Sequence, residues 1–310
     1  MKRISLRTII LSITSLFLCT ISLKAQTEDE KISQLVDSLD YYNKIGNGEK
    51  VLQYVDLLRV SKHVNGLFIM EANGYAYLKQ YDKAIAILND SVELMKDAQI
   101  GYSALGAIYE LQDNKNKAIE AYEKAKAIKT TYARPYFQLG SIYSKLGEKQ
   151  IAVENYLGAV RLFAQNRYYE EMEVFSETVL ELDSTNIEAY KFLQYSYFNK
   201  NDHSAVLNIG LKIDDLCVQQ NNSKEGFANR VFMGMSLYSL KDYENTIDLL
   251  MSAGSDEETW NEYAYMICGY LSASYEKTGN KDKSKEYREL AKKIDPNGAD
   301  AWIDRLLREN

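Results

Sequence analysis

Along most of the chain apolar residues fall three and four positions apart, the spacing that lays one stripe along a helix. Short polar stretches such as LQDNKN at 111–116 and KLGEKQ at 145–150 interrupt it. This pattern predicts helices in pairs joined by polar turns. The pairs also repeat: Tyr102, Leu105, Gly106, Tyr109, Ala118, Tyr122 and Ala125 recur 34 positions on as Tyr136, Leu139, Gly140, Tyr143, Ala152, Tyr156 and Ala159. One helix pair cannot bury its apolar stripe alone, so a fixed period of roughly 20–50 residues builds a stacked, solenoid-like array. Gly106, Ala118, Ala125 and their counterparts are small where two helices must approach closely, and the rings fill the space beside them.

The order aromatic, Leu-Gly, Tyr, then Ala, aromatic and Ala resembles the tetratricopeptide repeat and is nearly complete in both units. One period earlier stand Phe68, Glu71, Ala72, Tyr75, Ala84, Leu88 and Ser91, with YLKQYDKA at the inter-helix turn; Glu71 and Ser91 depart from the pattern. The resemblance implies an all-α fold, an α-solenoid of antiparallel helix pairs wound as a superhelix. After Tyr136 the frame resumes at Tyr190, Leu193 and Tyr197, 54 positions on, one helix more than the period allows. It then moves by 40 to Arg230, Met233, Gly234 and Leu237, and by 38 to Cys268, Leu271, Ser272 and Tyr275.

The expected organisation is a signal peptide at 1–25, then a divergent helical pair at 26–64 acting as a cap. Front-lobe repeats follow at 65–164, an extra helix and frame break at 165–186, back-lobe repeats at 187–296 and a C-terminal capping helix at 297–310. A degenerate repeat whose first helix is 149–164 is the alternative to the extra helix. Asp37-Ser38-Leu39, Asp90-Ser91-Val92 and Asp183-Ser184-Thr185 suit helix caps and also resemble a short O-glycosylation sequon.

Charge and composition add an address. Lys2, Arg3 and Arg7 lead an apolar run from Ile9 to Leu23 that ends in SLKAQ, the order of a secretory signal with cleavage after Ala25. The run is shorter than the roughly 20 residues a spanning helix needs. Cys19 follows Leu18 rather than a small residue, which argues against lipidation. Cleavage removes Lys2, Arg3, Arg7 and Lys24 and no acid, taking the formal charge from -7 to -11. Such a chain repels nucleic acid and anionic membrane, so neither nucleic-acid binding nor membrane insertion after cleavage is expected. The expected address is the periplasm or cell envelope of a two-membrane bacterium.

Catalytic chemistry finds no foothold. His63 and His203 are the two histidines, both in turns, and neither has a Cys, Asp or Glu partner at metal-ligand or triad spacing. Neither a glycine-rich phosphate loop nor a serine elbow occurs. Catalytic residues, metal site and cofactor are all expected to be none. Cys217 and Cys268 read as buried free thiols, and acid runs such as 256–258 as solvated surface.

The resemblance implies a groove lined by the first helix of each pair, with the positions one, five, eight and nine after the leading aromatic pointing inward. In the front lobe these are small and mostly polar, Ser103 and Ser141 among them. In the back lobe they include Lys191, Tyr195, Phe198, Asn199, Met235 and Tyr238, the candidate partner-binding strip. Packing of those rings inside a tight superhelix is the rival reading. The paired Lys and Asn clamp of chaperone-binding members is missing, since Lys191 is followed by Tyr195. The function expected is an exported scaffold binding a protein or peptide partner in this groove. The alternative is a structural or accessory subunit of an envelope complex using the convex face and termini.

Overall fold

The computed structural model describes residues 28–60, 67–92, 96–252 and 257–309. The signal segment 1–25, Cys19 and His63 lie outside the described residues. The described chain is all-α, with sixteen helices and no strand. They are α1 Glu28–Lys44, α2 Gly48–Val60, α3 Leu67–Tyr77, α4 Tyr81–Val92, α5 Ala98–Leu111, α6 Lys115–Ile128, α7 Ala133–Lys145 and α8 Lys149–Gln165. There follow α9 Tyr169–Leu182, α10 Ile187–Asn199, α11 His203–Gln219, α12 Ser223–Ser239, α13 Tyr243–Ser252, α14 Glu257–Lys277, α15 Lys281–Ile294 and α16 Ala299–Glu309.

Tight turns cut the helices apart by one recurring device. A residue with positive φ ends one helix, and the next residue starts the following one: Asp113 (φ 54°) before Asn114, Asn201 (φ 60°) before Asp202, Asn221 (φ 52°) before Asn222 and Gly279 (φ 85°) before Asn280. Each of those Asn or Asp side chains accepts a hydrogen bond from the backbone N–H three residues on, satisfying one of the donors a helix start leaves open. Ser38 and Ser91, by contrast, lie inside α1 and α4 and return their hydroxyls to the Gln34 and Ile87 carbonyls at 2.8 and 2.6 Å. Ser91 is buried as well, which removes it as a modification site; Ser184 is exposed in the turn after α9.

The chain forms two compact units, Met1–Thr130 and Thr131–Asn310. In the first, Leu39, Val51, Val55, Leu58 and Leu67 bury the joint of α1, α2 and α3, and Arg59 pairs with Glu71 across it. Glu71, off-pattern for the repeat, is thus spent on an ion pair. A second cluster runs from Ala72 and Ala76 through Leu88 to Leu105 and Ile108. At Gly106 an added Cβ would lie 2.7 Å from the ring of Tyr122, which is fully buried; close helix approach therefore needs the glycine.

In the second unit Gly140 repeats this contact, its Cβ position 2.8 Å from Tyr156. α9 lies between α8 and α10, with Phe175 stacked on Phe137, Tyr156 and Phe163 at centroid distances of 5.1, 5.9 and 5.5 Å. The largest core cluster joins α12 through α16 around Tyr238, Leu250, Ile267, Leu271 and Ile303. α16 docks by Trp302, which stacks on Tyr265 at 4.7 Å and covers Gly269, and its outer face carries Asp300 and Asp304 paired with Arg288.

Candidate functional site

A cavity of about 460 Å³ opens along the face shared by α10 and α12. Phe192 and Tyr195 of α10, Phe232 of α12 and Tyr263 of α14 supply its rings. Glu188 and Lys191 are the charged side chains lining it, with Gln165 at the end of α8. Both charges are already engaged: Glu188 holds Arg161 in a bidentate pair with both contacts at 2.7 Å, and Lys191 reaches Glu225 at 2.6 Å.

The floor is polar and nearly closed to solvent. Gln194 and Asn229 are each 3% exposed. Gln194 Nε2 donates to Asn229 Oδ1 at 2.7 Å and to the Val206 carbonyl at 3.4 Å. Asn229 Nδ2 donates to the Gly210 carbonyl at 2.8 Å and to Asp214 Oδ1 at 2.9 Å, and Asp214 in turn accepts from Arg230 at 3.0 Å. Gly210 permits this crossing, because a Cβ there would meet Met233 at 2.5 Å and the Gln194 amide at 3.0 Å.

Of the six residues expected to form the strip, Lys191 and Tyr195 line the cavity. Phe198 meets Phe232 edge-on at 5.5 Å, so it backs one of the cavity rings. Asn199 accepts from the Tyr169 hydroxyl at 3.0 Å and donates to the Tyr195 carbonyl, a brace beside the cavity. Met235 packs against the core cluster. Tyr238 corrects the expectation. It is fully buried, meets Tyr243 and Tyr270 edge-on at 5.3 Å, and donates its hydroxyl to the Leu306 carbonyl at 3.0 Å. Burial holds its hydroxyl far above the usual phenol pKa. α16 covers this part of α12, so the ring cannot meet a partner there. Ser103 is likewise fully buried, not a groove surface.

Phe192, Gln194, Asn229, Phe232 and Tyr263 escaped the sequence argument. The motif frame moves by 40 residues from α10 to α12, yet across the two helices Lys191 meets Glu225, Phe198 meets Phe232 and Gln194 meets Asn229, at separations of 34 or 35. The 40-residue step matches the ends of the two helices, Asn199 and Ser239, whereas their starts, Ile187 and Ser223, are 36 apart because α12 has 17 residues against 13 in α10; the lateral contacts follow the starts. Opposite charges and paired rings at the original 34-residue spacing were the signal available.

Other chemistry is sparse. Cys217 and Cys268 are buried free thiols, as the sequence suggested, and burial pushes the Cys268 thiol up to about 11. His203 begins α11 with its ring against Phe198, and burial lowers its pKa against a smaller opposing pull from Asp202. Among the described residues no group of three or more metal-ligating side chains occurs, and no helix is long and apolar enough to cross a membrane.

The tetratricopeptide repeat family profile matches residues 101–132, 133–166 and 268–297, so the chain carries that repeat in three places. A TPR repeat-containing protein of Methanocaldococcus jannaschii is 24% identical over 238 residues, covering 72% of this chain and 38% of that protein. The BBSome complex member BBS4 of Bos taurus is 37% identical over 81 residues, 26% of this chain and 15% of that one. The chain thus spans well under half the length of these curated relatives. Among solved structures, the APC/C hetero-tetramer Cut9–Hcn1 aligns at TM-score 0.42 and 16% identity over 88% of this chain and 55% of that one. YrrB, described as a TPR protein with an unusual peptide-binding site, aligns at 0.40 and 14% over 71% and 97%. Both scores are low, and neither likeness carries a function to this chain.

Proposed function

We propose that the whole described chain is a tetratricopeptide-type scaffold that captures a segment of a protein partner in the cavity between α10 and α12 and performs no chemistry itself. The observation that carries this is a cavity of about 460 Å³ with four aromatic rings over a hydrogen-bonded amide floor. Concave, largely apolar sites with a few placed polar groups are what binding sites look like. A pull-down with the tagged mature chain tests it: Phe192→Asp places a charge among the rings and should lose the partners that wild type retains. Recovery of the same partners by a normally folded Phe192→Asp chain would refute the cavity.

A second reading, assembly through the opposite face, has its own support. Leu207, Leu211, Leu237 and Leu249 line a groove of about 530 Å³ across α11, α12 and α13, and Leu211 is 60% exposed. An exposed apolar patch of this kind suits a subunit contact.

The address proposed is the periplasm or envelope of a two-membrane bacterium, supported by the charged, apolar and small-residue order of 1–25. N-terminal sequencing of the native protein should begin at Gln26. A cytoplasmic product that retains Met1 would contradict export.

A further inference from the structure

The floor of the cavity has a fixed polarity, and that polarity selects what can enter. Asp214, as a carboxylate held by Arg230, can only accept, so the Asn229 side chain must turn its NH₂ toward it; the Gly210 carbonyl demands the same orientation. Asn229 Oδ1 then faces Gln194, which must answer with its own NH₂, and the Val206 carbonyl again demands that orientation. Gln194 Oε1 is therefore left over. It accepts no hydrogen bond among the described residues, although the side chain is 97% buried and lines the cavity. Neither neighbouring amide can turn over without setting two donors or two acceptors against each other.

Resting on the reading of the cavity as a partner site, we infer that it is built for a neutral aromatic side chain tipped by a hydrogen-bond donor, a tyrosine or tryptophan of the partner. The rings of Phe192, Tyr195, Phe232 and Tyr263 suit an aromatic face, which prefers stacked or edge-on neighbours. Gln194 Oε1 sits where the O–H or indole N–H can donate. A ring that fills the cavity shuts water away from this acceptor, so a ring lacking the donor would leave it unsatisfied at a cost in free energy. A cationic side chain gains little, because Glu188 and Lys191, the two charges lining the cavity, are already paired to Arg161 and Glu225.

The test uses small probes titrated into the intact chain, with the Gln194 side-chain amide and neighbouring backbone resonances followed by NMR. p-Cresol and 3-methylindole stand for tyrosine and tryptophan, toluene for phenylalanine and n-butylammonium for lysine. The expected order is p-cresol and 3-methylindole about fivefold tighter than toluene, the ratio one modest hydrogen bond supplies, with n-butylammonium weakest. In Gln194→Met, followed by the neighbouring backbone resonances, the ratio of p-cresol to toluene binding should fall to about one, whatever the change in toluene itself; should that variant misfold, the wild-type order alone decides. Equal binding of toluene and p-cresol, tightest binding by n-butylammonium, or an advantage that survives in Gln194→Met overturns the donor assignment and leaves the groove standing. Failure of all three aromatic probes to shift cavity resonances overturns both.

Discussion

Tyr238→Ala is expected to destabilise the 131–310 unit by about 3–5 kcal/mol, the cost of deleting a large, fully buried aromatic side chain. Two losses combine. The ring sits between Tyr243 and Tyr270, and its removal leaves a cavity in the cluster that ties α12 to α14 and α16. Its hydroxyl also donates to the carbonyl of Leu306 in the last turn of α16, tying that helix to α12. Tyr238→Phe keeps the ring and should lose only about 1 kcal/mol. Urea unfolding followed by helical signal separates the two variants. A Tyr238→Ala chain with an unchanged midpoint would show that the ring is not a core element and would return it to the groove.

Tyr195→Ala and Phe232→Ala should leave stability much closer to wild type but weaken an isolated partner more than about tenfold. Aromatic anchors in a desolvated centre cost roughly 2 kcal/mol or more when truncated, and 1.4 kcal/mol is a factor of ten. Both rings are half-buried and line the cavity. Leu211→Ala on α11, 60% exposed in the opposite groove, is the control and should change the affinity little. Titration calorimetry on proteins matched for melting temperature gives the comparison; weakening by Leu211→Ala alone would favour the opposite face.

The helix pairs were legible because their signals are local. Tyr122 against Gly106 and Tyr156 against Gly140 are contacts within one pair, set by residues 16 apart, and the repeat of those residues announced them. The tight turns were legible too, since Asn114, Asp202, Asn222 and Asn280 are good cap residues beside polar runs. The site was less so, because a wall made by two helices depends on their lateral register, which the motif does not encode. Counting from the motif put Met235 beside Tyr195 and Tyr238 beside Phe198; the longer α12 puts Phe232 against Phe198 and Asn229 against Gln194 instead. Burial by α16 was hidden as well. Trp302, Leu306 and Leu307 read as an apolar stripe, but the stripe does not say that its backbone meets Tyr238, 68 residues away.

The central claim is that partners enter between α10 and α12, and site-specific photo-crosslinking tests it most directly. A photoreactive phenylalanine analogue in place of Phe192, inside the cavity, is compared in the native host with the same analogue in place of Leu211, on the opposite groove. Partner adducts that form from position 192 and are absent from position 211 are the predicted result. Adducts from position 211 with none from 192, both chains folded as wild type, would contradict it.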